Sequence, residues 1–152
     1  MTPPPRDLKQ RVQDTLERLQ QEVDAWVATA SAGDDVPYLT PLSYLWEDGT
    51  LLLSTAGSTP AGRNLLANGK VRLAIGQTRD VVLVHGSTEA IPAAELDAAT
   101  GDAFAARTGF DPRTLSTPYF YFRVRPDRIL AWREENELAG RVVFRDGAWL
   151  AA

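Results

Sequence analysis

The chain of 152 residues has no cysteine and one histidine. The first absence excludes disulfides, thiolate metal centres and a thiol nucleophile. The second excludes a multi-histidine metal centre within one chain, so no metal site is expected. Basic residues are in deficit: 16 Lys and Arg stand against 20 Asp and Glu, a formal net charge of −4. No nucleic-acid partner is expected from that balance, although it leaves room for a local basic pocket. No apolar run nears the ~18 residues that span a bilayer, and the opening MTPPPRDLK lacks the apolar stretch of a secretory signal. The expected location is therefore the cytoplasm, with no membrane partner. Hydrophobic residues at 44% and charged residues at 24% fit an ordinary globular chain. The length suits one domain, read as a flexible Pro-rich tail at 1–5 and a single domain over 6–152.

What the chain does have is strand-like sequence cut by turns. VATASAGDDVPYLTPLSYLW, residues 27–46, reads as two strands, 27–31 and 36–46, joined around Gly33-Asp34. Pro37 and Pro41 each remove a backbone N–H donor, so the second strand cannot pair regularly along both edges. Part of its edge should stay free, and free N–H and C=O groups can hydrogen-bond a flat heterocycle. The other use of such prolines is to blunt an edge against aggregation.

Upstream, Leu8, Val12, Leu16, Leu19, Val23 and Trp26 recur at helical spacing, which predicts a helix over 7–25. Downstream, Glu47-Asp48-Gly49 is a turn into a strand at 50–55. Ser58 or Thr59 can cap a short helix with Pro60 in its first turn, stopping at Asn68-Gly69. Strands follow at 70–76 and 80–90, with Gly86 marking a bulge. A helix is expected over 92–108, then strands at 118–125 and 128–132 around Pro126-Asp127. A hairpin at 142–145 and 148–150 turns on Asp146-Gly147. Short consecutive strands favour an antiparallel barrel with helices at its side. A Rossmann sheet would need strand–helix alternation and G-x-G-x-x-G, and neither occurs.

Residues 27–46, then LLLSTAGSTPAGRNLLANGKVRLAIG and DVVLVHGSTEAI, together resemble the FMN-binding split-barrel family. These are the pyridoxamine 5′-phosphate oxidase-like proteins, some of which use a deazaflavin coenzyme. The resemblance covers about residues 26–92, and PYFYFRVRPDRILAWRE also fits. It implies a mainly β (α+β) fold, a six-stranded antiparallel split β-barrel with flanking helices. It also implies a homodimer with FMN, or alternatively the deazaflavin coenzyme F420, in a cleft between subunits, and a small-molecule redox substrate. The oxidases carry Ser-Arg-Lys where this chain has Thr59-Pro60-Ala61. The missing basic pair shifts the expectation from a vitamin B6 oxidase toward a deazaflavin or a loosely held flavin. The reading is a flavin- or deazaflavin-dependent oxidoreductase; the alternative is a non-catalytic dimeric carrier or sensor of flavin or tetrapyrrole.

The candidate cofactor residues follow from both lines. The main chain of Thr40, Pro41, Leu42 and Ser43 would edge the ring. The hydroxyls of Ser54, Thr55, Ser58 and Thr59 near a helix start suit a phosphate, or serve only as caps. Arg63 can fork onto phosphate or lie solvated, and Asn64 can hold local structure. Arg79 can reach the ring's polar edge or pair with its neighbour in a turn. Trp132 can pack on a cofactor bound by the partner subunit or belong to the core. His85 has no visible partner and reads as structural, and Glu134, Glu135 and Glu137 as a solvated face. No catalytic residue is assigned.

Overall fold

The computed structural model describes residues 1–31 and 33–150; of the expected 6–152 domain, Ala32, Ala151 and Ala152 lie outside the described residues. The elements run α1 (Leu8–Gln21), β1 (Asp24–Ala30), β2 (Pro37–Glu47), β3 (Thr50–Ala56), α2 (Pro60–Asn68), β4 (Lys70–Gln77), β5 (Asp80–Pro92), α3 (Ala98–Thr108), β6 (Tyr119–Trp132), β7 (Val142–Arg145) and β8 (Ala148–Trp149). The strands are hydrogen-bonded in the order β3-β2-β1-β4-β5-β6-β7-β8, and a β3–β6 pairing closes the first six into a barrel. All pairings are antiparallel. The expected mainly β barrel with flanking helices is thus present, extended by the β7–β8 hairpin.

Strand alternation builds the barrel interior. Ala25, Val27 and Thr29 of β1 point inward and are buried, while Trp26 points outward and is 52% exposed. Leu51 and Leu53 join the interior cluster with Val71, Leu73, Ile75, Val84, Phe122 and Ile129. Leu52, on the opposite face of β3, packs outside the barrel against Phe104 of α3 and Tyr121. β3 is therefore buried on both faces. Tyr44 is fully buried and donates from its hydroxyl to Leu19 O at 3.0 Å, tying α1 to β2.

Four expectations are corrected. The first helix ends at Gln21, not at 25. Glu22 is extended, and Val23 O already accepts from Tyr44 N at 2.7 Å, so sheet pairing claims Val23 onward. The 92–108 helix is a 3₁₀ turn at Ala93–Glu95 followed by α3, which starts anew where the Asp97 carboxylate caps Thr100 N. Pro126-Asp127 is no turn: β6 runs unbroken, with Asp127 the extra residue of a β6 bulge and Pro126 beside it opposite Gly86, a place where the ladder does not require its N–H. Glu137 is not solvated but 2% exposed. It accepts from Arg6 Nη2 at 2.7 Å, Arg6 Nε at 2.9 Å, Arg6 N at 2.8 Å and Arg133 N at 2.9 Å.

Candidate cofactor site

The barrel is split where β2 and β3 part. β2 pairs with β1 from Pro37 to Ser43, but with β3 only from Tyr44 to Glu47. Residues 37–43 therefore have a second edge without a strand partner among the described residues, as the two prolines suggested. The parity of the ladder explains why the prolines do no harm. Tyr44 N bonds Val23 O, and in an antiparallel pair inward-bonded and outward-turned residues alternate. Thr40 and Leu42 accordingly face β1, while Pro37, Leu39 and Pro41 turn their nitrogens to the free edge. Both missing donors lie on that edge. Between residues 37 and 42 it offers the carbonyls of Pro37, Leu39 and Pro41 but only one N–H, that of Leu39. The rim is open yet poor in donors, which the sequence reading did not anticipate.

β3 continues past the split, paired with β6 alone through Ser54, Thr55 and Ala56, and leads into α2 at its mouth. Thr59 is the cap, accepting from Gly62 N at 3.0 Å. Its single hydroxyl proton goes to Ala56 O at 2.9 Å, so in the 2.9 Å contact between the two threonines Thr55 is the donor. Ser54 donates to Phe120 O at 2.9 Å. Of the four candidate hydroxyls, three are thus engaged in holding the β3–α2 corner. Ser58 is exposed and has no side-chain partner among the described residues. Pro60 has no N–H and Thr59 takes that of Gly62, which leaves the Ala61 N–H at the helix start. Arg63 folds back onto Ser58 O, so its guanidinium lies at the same corner.

Asn64 holds α2 to β1 by donating to Thr29 Oγ1 at 3.0 Å. The helix sits close because residue 62 is glycine: a Cβ there would stand 2.1 Å from Ala56 O. On β2, Thr40 and Leu42 turn inward, Leu42 packing on the barrel core. Pro41 turns outward beside Trp26, and the Ser43 hydroxyl donates to Asp24 Oδ1 at 2.6 Å.

Arg79 and Trp132 lie elsewhere. Arg79 pairs with Glu134. Trp132 lies opposite Val81, with the Arg141 guanidinium 5.1 Å from its ring centre. Both line one hollow with Thr78 and Arg133. Ser54 faces Tyr121 near the start of β6 and Trp132 ends it, roughly 35 Å apart along an untwisted strand. Within one protomer these two residues do not join the β2–α2 corner. Sequence reasoning also missed Trp26, counted there as the last apolar residue of the first helix. The alternation of Ala25, Val27 and Thr29 was the signal for an outward Trp26.

The sequence model of the pyridoxamine 5′-phosphate oxidase family matches residues 11–145. Among curated proteins none matches. Solved structures share the fold at low identity. An F420 reductase superposes with a TM-score of 0.60 at 19% identity, covering 74% of this chain and 93% of that one. A FAD-binding protein from Mesorhizobium loti gives 0.61 at 23% identity, covering 77% and 90%. A protein of unknown function from Agrobacterium tumefaciens gives 0.72 at 20% identity, covering 93% and 64%.

Proposed function

The chain belongs to the pyridoxamine 5′-phosphate oxidase family, and on that premise we propose that it is a homodimeric oxidoreductase that binds a flavin-type tricycle along the free edge of β2. The cofactor would be FMN or the deazaflavin coenzyme F420, and hydride would pass between it and a small-molecule substrate. The observation that carries the reading is the unpaired stretch of β2, open beside the α2 corner. The bound cofactor would supply the hydride chemistry, and the protein its orientation and electrostatics.

The residues present fit such a group unevenly. The rim carbonyls of Pro37, Leu39 and Pro41 suit the N–H groups of a pyrimidine-like ring edge, and Leu39 N–H suits one acceptor. A deazaflavin has carbon where a flavin has the central nitrogen N5, so it asks one donor fewer of this rim. Ser58 Oγ, the Ala61 N–H and Arg63 would hold a phosphate. That is a thin anchor, in keeping with the absent basic pair. Of the structural neighbours, one is named for F420 and another for FAD.

The outward row of β1 and β2 supports the homodimer. Trp26 is 52% and Leu39 61% exposed, with Pro41 opposite Trp26. Apolar side chains grouped this way on one face favour association. Arg79 and Trp132 would reach a cofactor only from a second protomer.

The test is an absorbance titration of the purified chain with FMN and with F420, followed by turnover with an electron acceptor. Saturable binding and a rate that falls on Arg63→Ala support the enzyme. The internally bonded Thr55–Thr59 and Ser43–Asp24 pairs leave little free acid–base chemistry and favour the carrier as the second reading. Binding without turnover would select it.

A further inference from the structure

On the outward face of the barrel the strand register aligns Leu39, Ala28, Arg72, His85, Arg128 and Arg145 in one row across six strands. Neighbouring strands lie about 4.8 Å apart, so Arg72 and Arg128 flank the single histidine at one strand spacing on either side. One row on, Lys70 lies opposite Ser87. Six of the twelve other arginines meet a carboxylate: Arg6, Arg18, Arg79, Arg113, Arg125 and Arg133. Among the described residues Lys70, Arg72 and Arg128 have no such partner. Like charges side by side across strands repel, and of the charged groups acting on His85 only Asp127 opposes the two arginines.

The row also borders a built hollow. Lys70, Arg72, His85, Ser87 and Asp127 line a cavity of about 410 Å³ over the small residues Ala28 and Ala30. A β6 bulge at Asp127, opposite His85 and Gly86, shapes it. Bulges re-aim side chains, and this one depends on glycine, because a Cβ at position 86 would stand 2.6 Å from Arg125 O.

We propose that this cavity binds a phosphoryl dianion, either inorganic phosphate or the phosphate of a small phosphomonoester, through Arg72, Lys70, His85 and Ser87. The donor set is what favours phosphate. A carboxylate is satisfied by one guanidinium fork. A tetrahedral dianion can take guanidinium, ammonium, imidazole and hydroxyl together. The volume is that of a small-molecule site. The site is independent of the cofactor proposal. Asn68 donates to Ala30 O and accepts from Lys70 N, which sets the cavity at the C-terminal end of α2. A helix of nine residues separates it from Thr59, roughly 13 Å along the axis.

His85 gives the site a reporter. Burial, then Arg72 and Arg128, push its imidazole below the ordinary value, with Asp127 opposing. The charged groups facing it are Lys70 and Arg72 from β4 and Asp127 and Arg128 from β6; β1 lines the cavity with Ala28, Thr29 and Ala30, none of them charged. A bound phosphate offsets the arginines and raises the imidazole pKa.

The experiment follows the imidazole NMR resonances of the sole histidine in the full chain at constant ionic strength. Inorganic phosphate, phenyl phosphate or chloride is added. The expected result is a saturable shift and an upward displacement of the His85 titration with either phosphate, and neither with chloride. Arg72→Ala should weaken binding by about tenfold or more, the worth of a charge-assisted hydrogen bond. Arg72 is exposed, and an unchanged circular dichroism spectrum confirms that the variant folds. Arg63→Ala, which removes a cation from the other end of α2, should leave the response intact, which separates this site from any cofactor phosphate there. Tighter binding of phenyl phosphate would assign an organic monoester, and tighter binding of inorganic phosphate the free ion. A shift that is the same in chloride, that does not saturate, or that Arg72→Ala leaves unchanged would overturn the proposal.

Discussion

Leu39→Pro tests the rim without touching the ladder. Leu39 turns its N–H to the free edge, with the same parity as Pro37 and Pro41, so the substitution removes no bond to β1. Proline fixes φ near −65° and holds the preceding Tyr38 in the extended region it already occupies in β2. The cost is backbone adjustment of about 1 kcal/mol, a fall in Tm of roughly 2–4 °C for a chain of this size. The effect on cofactor should be of similar size in free energy and is read directly as affinity. The rim loses its only donor between residues 37 and 42, a hydrogen bond worth about 0.5–1.5 kcal/mol, or roughly 2- to 13-fold in Kd. Thr40→Pro is the control. Thr40 faces Val27 in the β1 ladder, and Val27 is fully buried. That change removes a ladder bond and strands a buried carbonyl, a further cost of about 1–3 kcal/mol. The assays are thermal unfolding and an FMN or F420 titration of each variant. If Leu39→Pro unfolds the chain as readily as Thr40→Pro, the assigned parity is wrong. If it folds and binds as tightly as the parent, the ring does not use this rim.

Further outcomes follow from the same geometry. The Arg6 guanidinium, chiefly by hydrogen bonding, holds the Glu137 carboxyl at about 2, below its ordinary 4.5. A lowered carboxyl pKa stabilises the fold above the ordinary value and is lost as pH falls toward the lowered one. The parent should therefore lose about 3 kcal/mol between roughly pH 5 and pH 2 through this group. Glu137→Gln should be less stable at pH 7 and show a shallower fall in Tm with acid; parallel Tm–pH curves would count against the Arg6–Glu137 pairing. Gly62→Ala, whose Cβ would press on Ala56 O, should cost about 1–3 kcal/mol and loosen α2, read as a lower Tm and faster amide exchange in residues 60–68. Trp26→Asp should leave the fold intact, since the side chain is half exposed, and shift the particle to monomer in light scattering; an unchanged dimer would remove this face as the interface.

Much of the fold is readable from local chemistry. Thr59-Pro60 and Gly69 bracket α2 because a hydroxyl cap, a first-turn proline and a left-handed glycine, here at φ +69°, each have a positional meaning. Asp146 and Gly147 both adopt positive φ, 53° and 78°, as a tight hairpin demands. The errors arise where tertiary pairing overrides a local pattern. Val23 and Trp26 extend a helical spacing, yet the same residues begin a strand alternation, and β2 decides between them. Glu137 looks solvated in a run of charges until Arg6, 131 residues away, buries it. The same limit governs the site. The open rim followed from two prolines, but which edge they face depends on the Val23–Tyr44 bond. The hydroxyl cluster followed from composition, but its partner Phe120 O comes from β6. The row of Arg72, His85 and Arg128 needs three strands in register, information that no single segment holds.

The most direct measurement is an equilibrium titration of the purified chain with FMN and with F420, read by absorbance and by the stoichiometry of ring bound per protomer. Saturation near one ring per protomer, with a perturbed spectrum and weaker binding in Leu39→Pro, is the expected result. A folded chain that binds neither cofactor at any attainable concentration would contradict the role assigned to the open edge of β2.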